Sequence, residues 1–346
     1  MAHTHHPEIT SADALPAETI AGLADSDPIQ RLASRVDALP ALPAIATQLL
    51  DAVDNPETSA SSLANLISAD PALASRLLRL ANSAFYGFPR RIGTVNLAVA
   101  VLGFEAVRDL CLSVIITDCF FNVDSDLPFD IEAFWHHSLT SAVGCRMIYK
   151  MSGGANPGEG FIAGLIHDIG KMFLGRYFPA EYENVLHRAQ MENTPLLRAE
   201  EEIFHVTHPI AGAWLLDSWN LPNWLVEAVR DHHGSTFPVL KSQDLNTPAR
   251  WNAGGSPYAA NGSPPLPEKL ALAVTFTDIL VRRAHPEIIL PGVEAEVTAE
   301  MISTLRLKKD AYDTPDFTAY LDRLSREIQR SADIVDSIRS TRGLGG

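Results

Sequence analysis

Residues 164–171 read GLIHDIGK, an apolar run that sets His167 beside Asp168 and places Lys171 one turn after His167. An ionised aspartate is costly in an apolar interior unless it is ion-paired, hydrogen-bonded or held by a metal. The plainest account is an Asp168–Lys171 ion pair at i, i+3, which supports a helix by a few tenths of a kcal/mol. That pair explains two charges but not the histidines elsewhere in the chain.

Of twelve histidines, His3, His5 and His6 lie in the first ten residues, and most of the others stand in apolar helical context. His136 and His137 follow Trp135, His205 and His208 lie three apart, and His232 and His233 close a helical stretch. Each alone reads as a satisfied core or surface histidine. Together they are harder to dismiss, because neutral imidazole and carboxylate are the standard ligands of borderline divalent ions such as Zn, Fe and Mn. Helical bundles build such sites from inward-facing ligands on several helices. On one continuous helix His167 and Asp168 would project about 100° apart, so a shared ion would lie off the face between them. Asp168 has two oxygens and can bridge two ions, while Lys171 would point to the same cleft as a cationic donor. His187 and His285, among polar neighbours, read as surface residues, and Trp135, Trp214, Trp219 and Trp224 read as packing anchors.

The elements that must carry these residues are helical. In PAIATQLLDAV, Ile45, Leu49 and Val53 recur at i, i+4, i+8, and SLANLIS is a second short helix. In ADPALASRLLRLANSAFYG, Asp70 suits the N-cap, Pro71 the first helical position, and Leu73, Leu77, Leu78 and Leu80 the core face, with Gly87 beyond the end. Asn82 is placed to cap or to bond loop backbone, and no catalytic role falls to it or to Ser83. Thr94 is a cap, and Gly103 divides the following stretch into two helices. After the acidic loop 122–130 come IEAFWHHSLTSAVGCRMIYKM, FIAGLIHDIGKMFLGRYF, EYENVLHRAQMEN, PLLRAEEEIF, HPIAGAWLLDSWN and PNWLVEAVRDHH, each read as one helix. The expectation is an all-α bundle: a flexible tail at 1–27, a helical domain at 28–240 with halves at 28–121 and 131–240, a Pro/Gly-rich loop at 241–267, and helices completing the bundle at 268–340.

With 346 residues the chain can bury a large core, and 46% apolar and 20% charged residues is an ordinary soluble composition. A net charge of −15 argues against sequence-independent nucleic-acid binding, which relies on Lys and Arg neutralising phosphates. Arg76, Arg79, Arg90 and Arg91 could form a local basic strip for DNA, but they read better as a solvated helix face and turn. The start has no signal-peptide pattern, and no apolar run approaches the roughly 18 residues of a membrane span, so a cytoplasmic protein without a membrane partner is expected. Cys111, Cys119 and Cys145 show no metal-finger spacing and read as free thiols in a reducing compartment.

The blocks FWHHSLTSA, GFIAGLIHDIGK, HVTHPIAGAWLLDSWNLP and LVEAVRDHH, with LPALPAIATQLL, LISADPALASRLLRLANSAFYG and IGTVNLAVAVLGFEAVRDL upstream, resemble the HDOD domain over roughly residues 30–240. This is a bacterial signalling relative of the HD phosphohydrolase superfamily. The resemblance implies an all-α bundle with an N-terminal helical subdomain, a regulatory role and a candidate centre for up to two divalent ions. His137 matches the first histidine of the superfamily pattern, and His167 and Asp168 match its name-giving pair. His208, His232 and His233 match the additional ligands of HD-GYP cyclic-di-GMP phosphodiesterases, and Asp278 the closing aspartate. Lys171 matches the lysine on the phosphate side of the site. Two departures stand out: GSTFP follows His233 where those enzymes carry Gly-Tyr-Pro, and Ala133 stands where some carry glutamate. Nor does the sequence show a receiver, GGDEF or EAL segment, so one HDOD unit with tails is expected.

Two functions follow from these readings. One is a non-catalytic signalling module that binds a protein partner or a nucleotide second messenger. The other is a metal-dependent phosphohydrolase, with Asp168 and Lys171 as the catalytic pair and His137 as a ligand or proton carrier.

Overall fold

The computed structural model describes residues 32, 34, 42–54, 58–82, 88, 90–121, 127–154, 156–233, 266–284, 297–309 and 315–339. The expected tail at 1–27 with its three histidines, Ser83, Gly87, His285 and nearly all of the loop at 241–267 lie outside them. Among the described residues the regular structure is all helical, with one isolated bridge between Lys309 and Pro315.

The first half comprises α1 (Ala44–Asp54), α2 (Ala60–Ser68), α3 (Pro71–Ala81), α4 (Val95–Leu102) and α5 (Phe104–Phe121). Their starts follow from capping chemistry. Ser59 accepts from the Ser62 N–H, Asp70 from the Ala72 and Leu73 N–H groups, and Thr94 from the Leu97 N–H. Gly103 separates α4 from α5 at φ 92°, a conformation that costs glycine nothing and other residues much. Asn82 clamps the α3–α4 connection: its amide donates to the carbonyls of Leu78 and Ile92 (2.7 and 2.8 Å) and its oxygen accepts from the Ile92 N–H (2.7 Å). Arg76 pairs with Asp118 across α3 and α5, so its charge is already met inside the fold.

The second half comprises α6 (Ile131–Met151), α7 (Pro157–Ile166), α8 (Ile169–Tyr177), α9 (Pro179–Met191), α10 (Leu196–Phe204), α11 (His208–Ser218) and α12 (Asn223–Asp231). Further along the chain come α13 (Leu266–Ala284), α14 (Ala299–Thr304) and α15 (Phe317–Arg339). The central element is α6, started by Asp130 and buried along most of its length, with α7, α13 and α15 packed on it. Against this group lie α12, which touches α7 and α13, and α11, which touches α8 and α12.

One expectation is corrected. The stretch 161–178 is two helices rather than one, because α7 ends at Ile166 and α8 begins at Ile169. Asp168 sits in the break at φ −94°, ψ 11°. The break lets α8 turn onto α11, where a Cβ on Gly170 would lie 1.9 Å from the His208 carbonyl oxygen, an approach open only to glycine.

Cys111 and Cys145 are buried free thiols and Cys119 is a half-buried one. Trp135 and Trp219 are buried, and Trp214 and Trp224 pack against the same core. No described helix is long and apolar enough to cross a membrane.

Candidate metal centre

The break between α7 and α8 places the Asp168 carboxylate where five helical segments converge. His137 comes from the second turn of α6, and His167 and Asp168 from the break itself. His208 is the first residue of α11, His232 and His233 follow the last turn of α12, and Asp278 lies midway along α13. The helix ends bring side chains in from their termini, while α6 and α13 contribute from their flanks.

Two groups form, one on each oxygen of Asp168. On the Oδ2 side His167 Nε2 lies at 3.4 Å and His137 Nε2 at 3.7 Å. His137 Nε2 is 3.1 Å and His167 Nε2 4.0 Å from Asp278 Oδ1, and the two imidazole nitrogens are 3.4 Å apart. On the Oδ1 side His208 Nε2 lies at 3.2 Å and His232 Nε2 at 3.6 Å, with His233 Nε2 3.2 Å from His208 Nε2. Within each group, His137–His167–Asp278 and Asp168–His208–His232–His233, the ligand atoms all lie within 4.8 Å of one another. All seven residues named from the sequence as candidate ligands are therefore brought together. Their side chains are buried except for His233, which is half-buried.

Second partners fix how the rings face. His167 Nδ1 donates to the Gly164 carbonyl (2.9 Å) and His232 Nδ1 to the Val229 carbonyl (2.6 Å). His208 Nδ1 donates to the Glu200 carboxylate (2.8 and 3.0 Å). These partners can only accept, so each ring carries a proton on Nδ1 and turns Nε2 to the centre. Thr275 also bonds the His232 carbonyl. Arg282, one turn after Asp278, donates from Nε to both of its oxygens (3.0 and 2.8 Å). Lys171 Nζ donates to Asp168 Oδ2 at 2.6 Å and is 1% exposed, so the i, i+3 pair exists and faces the bridging carboxylate.

The protonation states match a cation site. Burial pushes the His232 imidazole down to about 4, and burial with the neighbouring histidines pushes His233 well below the ordinary histidine range. His137 is also lowered, chiefly by burial, so all three rings are neutral ligands at pH 7. Burial pushes the Asp278 carboxyl up, but Arg282 and His137 outweigh it and hold it well below the usual carboxylate range. Asp168 is held low in the same way by His167 and Lys171 against its burial. Burial would lower His167, yet Asp168 and Asp278 outweigh it and raise it, which favours the charged imidazole where no ion is bound.

The fit to a metal rests on atoms that hydrogen bonds leave over. Asp168 Oδ1 and His232 Nε2 are buried, have no hydrogen-bond partner and face each other at 3.6 Å. Two buried acceptors converging without a donor are costly, and a divalent ion between them removes that cost. The donor set of imidazole nitrogen and carboxylate oxygen suits Zn, Fe and Mn.

Other sequence candidates lie elsewhere. His205 is exposed in the left-handed conformation that ends α10 (φ 56°), His136 is half-buried on α6, and His187 is exposed. Glu200, Tyr182 and Arg282 belong to the site and were not singled out from sequence. Glu200 was detectable: it is four residues after Leu196 and four before Phe204, on the apolar face of α10.

An all-α bundle that gathers histidines and aspartates around a carboxylate with two facing half-sites defines an HD-type protein. Residues 39–235 match the HDOD domain, and the chain belongs to that family. An uncharacterized protein of Treponema pallidum (strain Nichols) is 27% identical over 235 residues, which is 66% of this chain and 45% of that protein, so the match spans less than half of the relative's length. Two solved structures share the fold. A candidate signal-transduction protein of Marinobacter aquaeolei VT8 aligns at TM-score 0.62 and 20% identity, over 91% of this chain and 63% of its own. A candidate phosphohydrolase of Shewanella amazonensis SB2B aligns at TM-score 0.61 and 23% identity, over 92% of this chain and 100% of its own.

Proposed function

We propose that this protein is a signal-transduction module of the HDOD type, built around a fixed centre for up to two divalent ions, Fe, Mn or Zn. It acts by binding a protein partner or a nucleotide second messenger. The observation that carries the metal centre is the buried meeting of Asp168 Oδ1 and His232 Nε2 without a donor between them. His137, His167, Asp278 and Asp168 Oδ2 would hold one ion, and His208, His232, His233 and Asp168 Oδ1 the other. A regulatory rather than hydrolytic role is supported by the donor count, since four protein ligands on each ion would leave no coordination position open in the way a catalytic site does. The absence of Gly-Tyr-Pro after His233 supports the same reading. Lys171 is engaged with Asp168 and turned away from solvent, so its charge goes to the bridging carboxylate.

A second reading, a metal-dependent phosphohydrolase, is favoured by one feature: a single carboxylate spans both half-sites. Paired ions bound there would supply electrophilic stabilisation of phosphoryl oxygens. In that reading Asp168 and Lys171 form the catalytic pair, and half-buried His233 marks the edge from which a substrate would approach.

Elemental mass spectrometry on anaerobically purified full-length protein, with His3, His5 and His6 replaced by serine, tests both readings beside the Asp168→Ala variant. About two ions per chain, lost in the variant, with no turnover of any phosphoester would support the signalling reading. The same metal content with hydrolysis abolished by Asp168→Ala would support the enzyme. A chain purified without stoichiometric metal would end both metal readings.

A further inference from the structure

Glu200 is a carboxylate with no exposed surface, carried on the core-facing side of α10 and outside the ligand set. Its neighbours all lead to one ligand. Oε2 accepts from the His208 backbone N–H at 2.8 Å, both oxygens lie on His208 Nδ1 at 2.8 and 3.0 Å, and Tyr182 donates its hydroxyl to Oε1 at 3.1 Å.

A simpler account makes Glu200 the cap of α11. His208 opens that helix, its N–H has no partner within the helix, and Thr207 at the N-cap supplies no side-chain bond. Capping explains the contact with the backbone nitrogen and stops there. It does not require both oxygens on the imidazole, nor a tyrosine holding the plane of the carboxylate. An anion on one imidazole nitrogen fixes the tautomer and makes the other nitrogen a stronger donor, which is the role of outer partners in metal sites.

We infer that Glu200 is a positioning residue of the metal centre: it holds His208 with the proton on Nδ1 and turns the Nε2 lone pair toward Asp168 and His233. Tyr182 in turn orients Glu200. The inference rests on the metal-centre reading above, but the tautomer it predicts exists whether or not an ion is bound.

Two measurements on the full chain test it. In protein labelled with 15N-histidine, His208 is expected to report a proton held on Nδ1, the nitrogen that faces Glu200. In a zinc titration, Glu200→Gln is expected to weaken one of two ions by about 10- to 100-fold with an unchanged circular dichroism spectrum. Tyr182→Phe, which keeps the carboxylate but frees it to turn, should weaken the same ion by less than Glu200→Gln. Adding Thr207→Asp to Glu200→Gln supplies α11 with a carboxylate cap at the usual position. That double variant guards against simple misfolding and is expected to regain stability without regaining zinc affinity.

Recovery of affinity in the double variant would show that Glu200 is only a cap and overturn the inference. Unchanged affinity in Glu200→Gln would do the same. A wild-type His208 with no proton on Nδ1 would overturn the positioning role while leaving the metal centre standing. A wild-type chain with the expected tautomer and no zinc binding would instead bring down the metal centre, and the positioning role with it.

Discussion

Asp168 shows how one residue can face two groups of side chains. Its oxygens face different groups, and Lys171 at 2.6 Å balances the one nearer His137 and His167. Asp168→Asn should therefore cost both ions, whereas Asp278→Asn should cost only one, and elemental analysis of the two variants separates these outcomes. Equal losses would mean that Asp168 is not shared. Lys171 makes a subtler prediction. Without an ion, Lys171→Met leaves the buried carboxylate with His167 as its remaining positive neighbour, which costs up to about 3–5 kcal/mol. With ions present the carboxylate keeps a positive neighbour, so urea denaturation in zinc should show a smaller loss than denaturation in a chelator. A loss of the same size in both conditions would mean that Asp168 never meets a metal.

At the scale of elements, helix packing decides whether the ligands meet. Gly170 on α8 approaches α11 so closely that a Cβ would lie 1.9 Å from the His208 carbonyl and 2.8 Å from the Gly212 nitrogen. Gly170→Ala should cost about 1–3 kcal/mol by forcing the helices apart, and it should move His208 out of its group. A lower thermal midpoint with reduced zinc stoichiometry is expected; normal stoichiometry would show that α11 can shift without carrying its ligand away. Asn82→Ala removes two bonds that tie the end of α3 to Ile92 ahead of α4 and one to Leu78 within α3, and should destabilise by about 1–3 kcal/mol, read by chemical denaturation without change in metal content.

These elements differ in how plainly the sequence announced them. Asp70, Thr94 and Gly103 are local signals, since each acts on backbone within a few residues, and each does in the fold what its type implies. The break at His167–Asp168 has no such signal. Apolar spacing runs straight through GLIHDIGK without proline; Asp168 is a capping type and stands at the N-cap of α8, but its side chain makes no cap bond, and the turn goes with the close α8–α11 contact, which is made with residues some forty positions later. The ligands were legible as residue types, but their division between the two oxygens of Asp168 depends on that break. Arg282 and Glu200 were harder to find, because a charged side chain on a helix usually points to water, and only the packing of α13 and α10 turns these inward.

For the molecule as a whole, the centre is a cross-link. Its candidate ligands come from α6, the α7–α8 break, α11, the end of α12, and α13, helices that already pack on one another and would be tied together further by an ion held among them. An ion that binds the folded arrangement and not the unfolded chain adds stability through mass action, about 2.7 kcal/mol when its free concentration is a hundred times the dissociation constant. For a domain of 150–250 residues each kcal/mol raises the thermal midpoint by roughly 2–4 °C, so zinc should raise it by several degrees and a chelator should reverse the gain. The effect should also be local. The first half, α1 to α5, contributes no ligand, so amide hydrogen exchange should slow on adding zinc in α6, α7, α8, α11, α12 and α13 while changing little in α1 to α4. Slowing spread evenly over both halves would mean that the two open together as one cooperative unit. No slowing at all, in protein shown to hold zinc, would mean that the ion binds a framework already rigid without it, and the centre would then owe its place in the fold to recognition or chemistry instead of stability.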